Sequence, residues 1–145
     1  MTTKTALVTG TSSGMGLATA QYLLNKGWKV VGVDLKPTEI EHESFRCIVT
    51  DITNREALAN ELKDIESLNL VANIAGVFPP STLETMTFEQ YRLIFDVNVW
   101  GTLAVISATR PLLSEGSAIV NFASVDAFTV SPGQLLYGAS KAAAV

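Results

Sequence analysis

Tyr137 and Lys141 stand four residues apart in Tyr137-Gly138-Ala139-Ser140-Lys141. On a helix that spacing puts a phenol and an ammonium on one face, one above the other. A free phenol ionises near pH 10, too high to exchange a proton readily at neutral pH. A cation about 4 Å away, at an effective dielectric of about 20, favours the phenolate by up to about 4 kcal/mol, and desolvation opposes part of that gain. The pair is therefore suited to general acid/base work. Tyr-x-x-x-Lys is common by chance, so its weight depends on what else the chain carries.

A second constellation lies near the N-terminus, where Thr9-Gly10-Thr11-Ser12-Ser13-Gly14-Met15-Gly16 joins a strand-like run to a helical pattern. That is the context a dinucleotide-binding turn needs. Gly10 permits a sharp exit from the strand, Gly14 lets backbone amides approach a pyrophosphate, and Gly16 allows the helix to pack closely on the sheet. Asp34 follows 18 residues after Gly16, at the end of the next strand-like run. A carboxylate there accepts from ribose hydroxyls and repels a 2′-phosphate. With no Arg or Lys in the turn and Leu35 after the acid, NAD is expected over NADP, and Lys36 is the one residue that argues the other way.

The elements that must position these groups alternate strand and helix, the pattern of βαβ units and a parallel sheet covered on both faces. Strands are predicted over Thr5 to Thr9, Trp28 to Val33, Phe45 to Val49, Asn69 to Asn73 and Ala118 to Phe122. The first helix should run from about Gly14 to Lys26, with Leu17, Ala20, Leu23 and Leu24 inward and Gly27 as its left-handed cap. Thr53 to Glu56 and Thr87 to Gln90 each fit a capping box, which starts helices at 54 and 88. The second of these should reach Leu112 or Leu113 with an apolar stripe of Tyr91, Phe95, Val99 and Leu103, then stop in Ser114-Glu115-Gly116. Val77-Phe78-Pro79-Pro80-Ser81 reads as a loop. The stretch from Val125 to Leu136 is loop-like, and a further helix begins near Leu135.

Composition narrows the class. The 145 residues make one domain, 48% of them hydrophobic, enough for a sizeable core. Ten basic and fourteen acidic side chains give a net charge of −4 with no basic cluster, so nucleic acid is not an expected partner. No apolar run reaches the roughly 18 residues of a membrane span. The single cysteine, Cys47, lies in an apolar run and is read as a packing residue in a reducing compartment, which makes the cytoplasm the expected location. His42 sits in a charged stretch without companions spaced as metal ligands, and no metal is expected.

The glycine turn at Thr9 to Gly16, Asn73-Ile74-Ala75-Gly76 after the fourth strand, Asn98 in Asn98-Val99-Trp100-Gly101, Ser124 after the fifth strand, and Tyr137 with Lys141 together resemble the classical short-chain dehydrogenase/reductase family. Order and spacing agree over essentially the whole chain. Ile74 and Ala123 depart from the Asn and Ser often seen at those positions, and neither carries chemistry.

The resemblance implies a Rossmann-type, doubly wound parallel sheet of order 3-2-1-4-5, ending before the family's last two strands and leaving the fifth strand as an exposed edge. It implies an NAD-dependent oxidoreductase that interconverts an alcohol and a ketone. Ser124 would polarise the carbonyl, Tyr137 would act as general acid/base, Lys141 would bind the nicotinamide ribose and favour the phenolate, and Asn98 would help hold a water in a proton relay. Cofactor contacts would come from Gly10, Ser12, Ser13, Gly14, Met15, Gly16, Asp34, Asp51, Ile52, Asn73, Ala75 and Gly76, together with Tyr137 and Lys141. A hydrophobic substrate rim of Val77, Phe78, Val125 and Phe128 is suggested. The helices at 88–112 and 135–145 resemble those that pair in the family's homodimers and homotetramers. Two other readings are carried: an inactive, truncated nucleotide-binding or interaction fragment, and a sugar-nucleotide epimerase, which shares the Tyr/Lys chemistry but differs in its glycine turn.

Overall fold

The computed structural model describes residues 3–129 and 131–145, so residue 130 of the expected 125–136 loop lies outside the described residues. Five parallel strands form one sheet: β1 (Thr5–Thr9), β2 (Lys29–Asp34), β3 (Phe45–Val49), β4 (Leu68–Asn73) and β5 (Leu113–Asn121). Their order is β3-β2-β1-β4-β5, as the family resemblance implies, and all are parallel, as the alternation of strands and helices predicts. Alternation along each strand feeds two cores. Ala6, Val8, Val30 and Ala72 face helix α1 (Gly14–Asn25) with Ala20, Leu23 and Leu24. Leu7, Val31, Val33 and Val71 face the opposite side with Leu58, Leu62 and Val105.

Helix α1 ends in a Schellman arrangement, with Gly27 at φ +79°, its N–H donating to Leu24 O and that of Trp28 to Leu23 O. Helix α2 (Arg55–Glu61) is capped by Asn54, whose Oδ1 accepts the Ala57 N–H at 3.0 Å, and not by Thr53. Thr53 is already committed, since its N–H and its hydroxyl both donate to Asp51 Oδ1 at 2.8 Å. The Thr87–Gln90 capping box forms as expected and starts helix α3 (Phe88–Phe95).

The single long helix expected after residue 88 is instead a series: α3, a π-helical turn (Asp96–Gly101), α4 (Thr102–Thr109) and a 3-10 turn (Arg110–Leu112). Its inward row is Ile94, Asn98, Gly101 and Val105, all buried. The expected stripe lies elsewhere: Tyr91 and Leu103 are 42% and 55% exposed. An asparagine and a glycine in the true inward row hide it from a hydrophobicity pattern. Gly101 is needed there because a Cβ would come within 2.7 Å of Ile52 Cδ1.

Strand β5 begins at Leu113, five residues before the expected start at Ala118. Leu113 pairs with Leu68 and Ala118 with Leu70, so Ser114 to Ser117 bulge outward while pairing resumes beyond them. Gly116 (φ +86°) turns the bulge, and the Ser117 hydroxyl ties it to Leu68 O at 2.8 Å. Cys47 is not the packing residue that its apolar run suggests. It is exposed, because β3 is an edge strand that buries only Ile48 fully.

The turn from β1 into α1 holds the closest backbone approach of any glycine in the fold. A Cβ on Gly16 would stand 2.0 Å from Gly10 O and 2.9 Å from Thr9 O, both backbone atoms that cannot move aside cheaply. Gly14, at φ +55°, has nothing within 4 Å. Gly16→Ala is therefore expected to cost about 3 kcal/mol of stability, and Gly14→Ala about 1–2 kcal/mol from its left-handed backbone alone. Urea unfolding of the two variants checks the order, and equal losses would contradict it.

Candidate active site

Gly10, at φ +78°, donates its N–H to Val33 O at 2.8 Å, and a side chain there would press within 3.0 Å of Ala75 Cα. The Thr9 hydroxyl accepts the N–H groups of both Ile74 and Ala75 at 3.0 Å, pinning the exit of β4 against the turn. Ser13 caps α1 in extended conformation without a side-chain bond, and the first turn carries no acid. Among the described residues no carboxylate meets the orphan amides of that first turn. Asp34 closes the other side: Oδ2 accepts the Ser12 N–H at 3.0 Å and Oδ1 the Lys36 N–H at 3.1 Å.

These groups border a cleft of about 540 Å³. Gly10, Ser12, Ser13, Gly14, Met15, Gly16, Asp34, Asp51, Ile52, Ala75 and Gly76 all line it, with Phe78, Leu93 and Val97 on its apolar wall. Asn73 stands apart from the rest of the expected set. It is 5% exposed and donates from Nδ2 to Asn121 Oδ1 at 2.9 Å, so it braces β4 against β5.

Tyr137 and Lys141 lie on α5 (Leu135–Ala142), and neither lines the cleft. Lys141 is 6% exposed, donates from Nζ to Phe122 O at 2.7 Å and stands 5.8 Å from the centre of the Tyr137 ring. The Phe78 ring meets that of Tyr137 edge to face at 6.0 Å. Ser124 caps a short 3-10 turn (Val125–Ala127), its Oγ accepting the Asp126 N–H at 3.2 Å. This turn packs directly on α5, where a Cβ at Gly138 would come within 2.9 Å of Asp126 O. Ser124 is thereby held beside the helix that carries Tyr137.

Asn98, 2% exposed, binds these parts together. Its Oδ1 accepts the Val77 N–H at 2.8 Å, and its Nδ2 donates to Val77 O and to Ser140 Oγ, each at 2.9 Å. Gly76 is the point of contact between cleft and helix. It lines the cleft, and a Cβ there would meet Asn98 Oδ1 at 3.2 Å and Lys141 Nζ at 3.6 Å.

Two serines in this arrangement escape sequence reasoning. The Ser81 hydroxyl accepts the Leu136 N–H at 3.1 Å, and its backbone bonds to Gly133 and Leu135, so the Val77–Ser81 loop is fastened to the start of α5. No sequence signal marks it. Ser140, three residues after Tyr137, could have been suspected from helical spacing alone. Of the suggested substrate rim, Val77 and Phe78 border the cleft, whereas Phe128 lines a separate pocket of about 280 Å³ with Gly138, Ala139 and Ala142.

The family model described as short chain dehydrogenase matches residues 4–145. The chain belongs to the short-chain dehydrogenase family. Among its curated relatives is an uncharacterized oxidoreductase of Staphylococcus aureus strain MW2, 31% identical over 99% of this chain and 68% of the relative. Among solved structures, the ligand-free aldohexose dehydrogenase of Thermoplasma acidophilum superposes with a TM-score of 0.90 at 28% identity, over 97% of this chain and 57% of that one. A short chain dehydrogenase of Leptospira borgpetersenii solved with bound NAD+ shares the fold, with a TM-score of 0.90 at 23% identity over 99% and 62%. This short-chain dehydrogenase chain thus spans about three fifths of the length of those structures. Among its described residues no helix is long and apolar enough to cross a membrane, and no three His, Cys, Asp or Glu side chains gather as metal ligands.

Burial pushes the Lys141 ammonium below the usual lysine value of 10.5. The folded chain therefore releases this proton more readily than the unfolded chain. Below its folded pKa the burial penalty is present in full; between that pKa and 10.5 the unfolded state holds more protons, so stability rises with pH. Measured against Lys141→Met by urea unfolding at pH 7 and at pH 10, the parent chain is expected to gain on the variant at the higher pH. A stability difference that stays flat or falls would refute the assignment.

Proposed function

We propose that this chain is the dinucleotide-binding and catalytic part of an NAD-dependent oxidoreductase that interconverts an alcohol and a ketone. The observation that carries the reading is the meeting at Gly76, where a cleft fronted by a glycine turn abuts a buried lysine one helical turn from a tyrosine. The residues present fit a dinucleotide: uncapped amides at the start of α1 suit a pyrophosphate, and Asp34 suits ribose hydroxyls. Asp34 adds a negative charge that disfavours a 2′-phosphate, and the NAD+ in the Leptospira neighbour is consistent with this preference.

When bound, the nicotinamide supplies or takes the hydride. The chain's own groups handle the oxygen. Ser124 would hold the carbonyl or hydroxyl oxygen by a hydrogen bond, and Tyr137 would give it a proton in reduction and take one in oxidation. Lys141 would donate to ribose hydroxyls and stabilise the phenolate after proton transfer. Asn98, its side chain fully engaged by Val77 and Ser140, would contribute through its position in the π-helical turn. Val77 and Phe78 would present an apolar wall to the substrate. A cytoplasmic location remains part of this reading.

Titration with each dinucleotide, followed by turnover of secondary alcohols, tests the proposal. NAD should bind more tightly than NADP by about tenfold or more, and Tyr137→Phe should lower kcat/KM by about 10²- to 10⁴-fold, far more than the loss of one cofactor contact lowers NADH affinity. Tighter binding of NADP would overturn the cofactor assignment, and a Tyr137→Phe variant with parental turnover would overturn the role of Tyr137. Binding with no turnover by the parent favours the nucleotide-binding reading.

We further propose that the helices at 88–112 and 135–145 pair in a homodimer or homotetramer. Phe88, Tyr91, Trp100 and Leu103 are 69%, 42%, 46% and 55% exposed on the outer side of the first of these. Such an apolar row marks an association surface. Leu103→Glu should shift the sedimentation coefficient to that of a monomer, and a parent already monomeric at micromolar concentration contradicts the proposal.

A further inference from the structure

We propose that Ser140 is a positioning residue for Tyr137 and Lys141, keeping their helix in register with Asn98 through its buried hydroxyl. This rests on the reading of Tyr137 as the acid/base. Ser140 is fully buried; its Oγ accepts from Asn98 Nδ2 at 2.9 Å and donates to Tyr137 O at 2.7 Å.

The direction of each bond is fixed by chemistry. The Tyr137 carbonyl can only accept, so the single hydroxyl proton of Ser140 goes there and a lone pair is left for Asn98. The Val77 N–H can only donate, so Asn98 must turn Oδ1 toward it, and both Nδ2 protons are then spent on Val77 O and Ser140 Oγ. No amide flip or hydroxyl rotation satisfies the same set. Among the described residues this is the one side-chain hydrogen bond between the π-helical turn and α5.

The helix gives up something to keep it. Serine bonded back to a carbonyl of the preceding turn weakens and bends a helix, and its neighbours Ala139 and Ala142 are the better helix former. At position 140 alanine would leave one buried Asn98 N–H without an acceptor. The Ser140 hydroxyl bonds to neither the phenol nor Nζ. It acts through the backbone turn that carries both, and the residue after it is Lys141, whose ammonium is held against Phe122 O.

The test compares Ser140→Ala and Ser140→Thr with the parent in the full chain. Threonine keeps a hydroxyl able to bond back to the carbonyl three residues earlier. The readouts are NADH binding by fluorescence, the pH–rate profile with secondary alcohols, and fluorine NMR of protein labelled with 3-fluorotyrosine. The chain has three tyrosines, and loss of one resonance in Tyr137→Phe assigns Tyr137. Ser140→Ala is expected to keep NADH affinity within about threefold and to lower kcat about tenfold at unchanged KM, as a small misplacement of reacting groups does. It should displace the pH–rate profile and move the Tyr137 resonance while those of Tyr22 and Tyr91 stay in place, and Ser140→Thr should restore both. An Ala variant with parental resonance and pH profile, or a loss confined to melting temperature, overturns the inference. If Tyr137→Phe keeps its turnover, the acid/base reading fails instead, and the resonance alone still decides whether Ser140 positions Tyr137.

Discussion

The Asn98 carboxamide is the interaction on which the rest of the site depends. It reproduces a strand-like pair of bonds with the backbone of half-buried Val77, giving that residue's N–H and C=O fixed protein partners. The fully buried Asn98 side chain is the dearer partner to strand, since a buried polar group left without its bond costs about 1–3 kcal/mol, more than a made bond contributes. The π-helical turn is what delivers Asn98 to this position. Widening the helix frees carbonyls from their ordinary partners, and Asn98 O is met by the Thr102 hydroxyl at 3.0 Å. One local distortion thus aims a side chain inward and is repaired by the next turn.

The consequence is a continuous strap from the end of β4 to the start of α5. Ile74 and Ala75 are bound by Thr9, Val77 by Asn98 and Ser81 by the first turn of α5, while Gly76 lies against Lys141 and Phe78 against the Tyr137 ring. Pro79 and Pro80 restrict the segment between the last two anchors. The glycine turn and helix α5 are far apart in sequence, yet both are referenced to these eight residues, 74–81. Their relative placement is therefore a property of this strap and of the sheet beneath it.

Strand alternation, the glycine turn, the Thr87–Gln90 box and the Tyr/Lys spacing were legible because each is a pattern of side-chain types at fixed local offsets. Asn98's partner was not, since it is the backbone of Val77, which carries no side-chain signature. The inward row of the π-interrupted helix failed for a related reason: it runs through Asn98 and Gly101, while the outer row of Tyr91 and Leu103 reads as more apolar. Ser-Glu-Gly at 114–116 carries turn residues, and they do make a turn, but one inside β5 as a bulge. Cys47 sits in an apolar run on a strand opposite Gly32, at the sheet edge where cover is thin. Edge position is a matter of topology, and composition does not encode it.

Burial sets the electrostatic character of Lys141, and the strap meets it only at Gly76. A buried ammonium is tolerated when its donors are met, and an ammonium has three of them. The protein supplies one acceptor, Phe122 O, and among the described residues no carboxylate pairs with Nζ. The rest of the fold carries the cost of holding this charge out of water, and Gly76 keeps open the space through which it faces the cleft. Acceptor oxygens or a negative charge entering that space would be stabilised more strongly there than at the surface, because the surroundings screen them less. Under the function proposed above, those groups are the hydroxyls of a bound ribose and the phenolate of Tyr137. A lysine paired with a carboxylate would be easier to bury, and it would have nothing left to offer either of them.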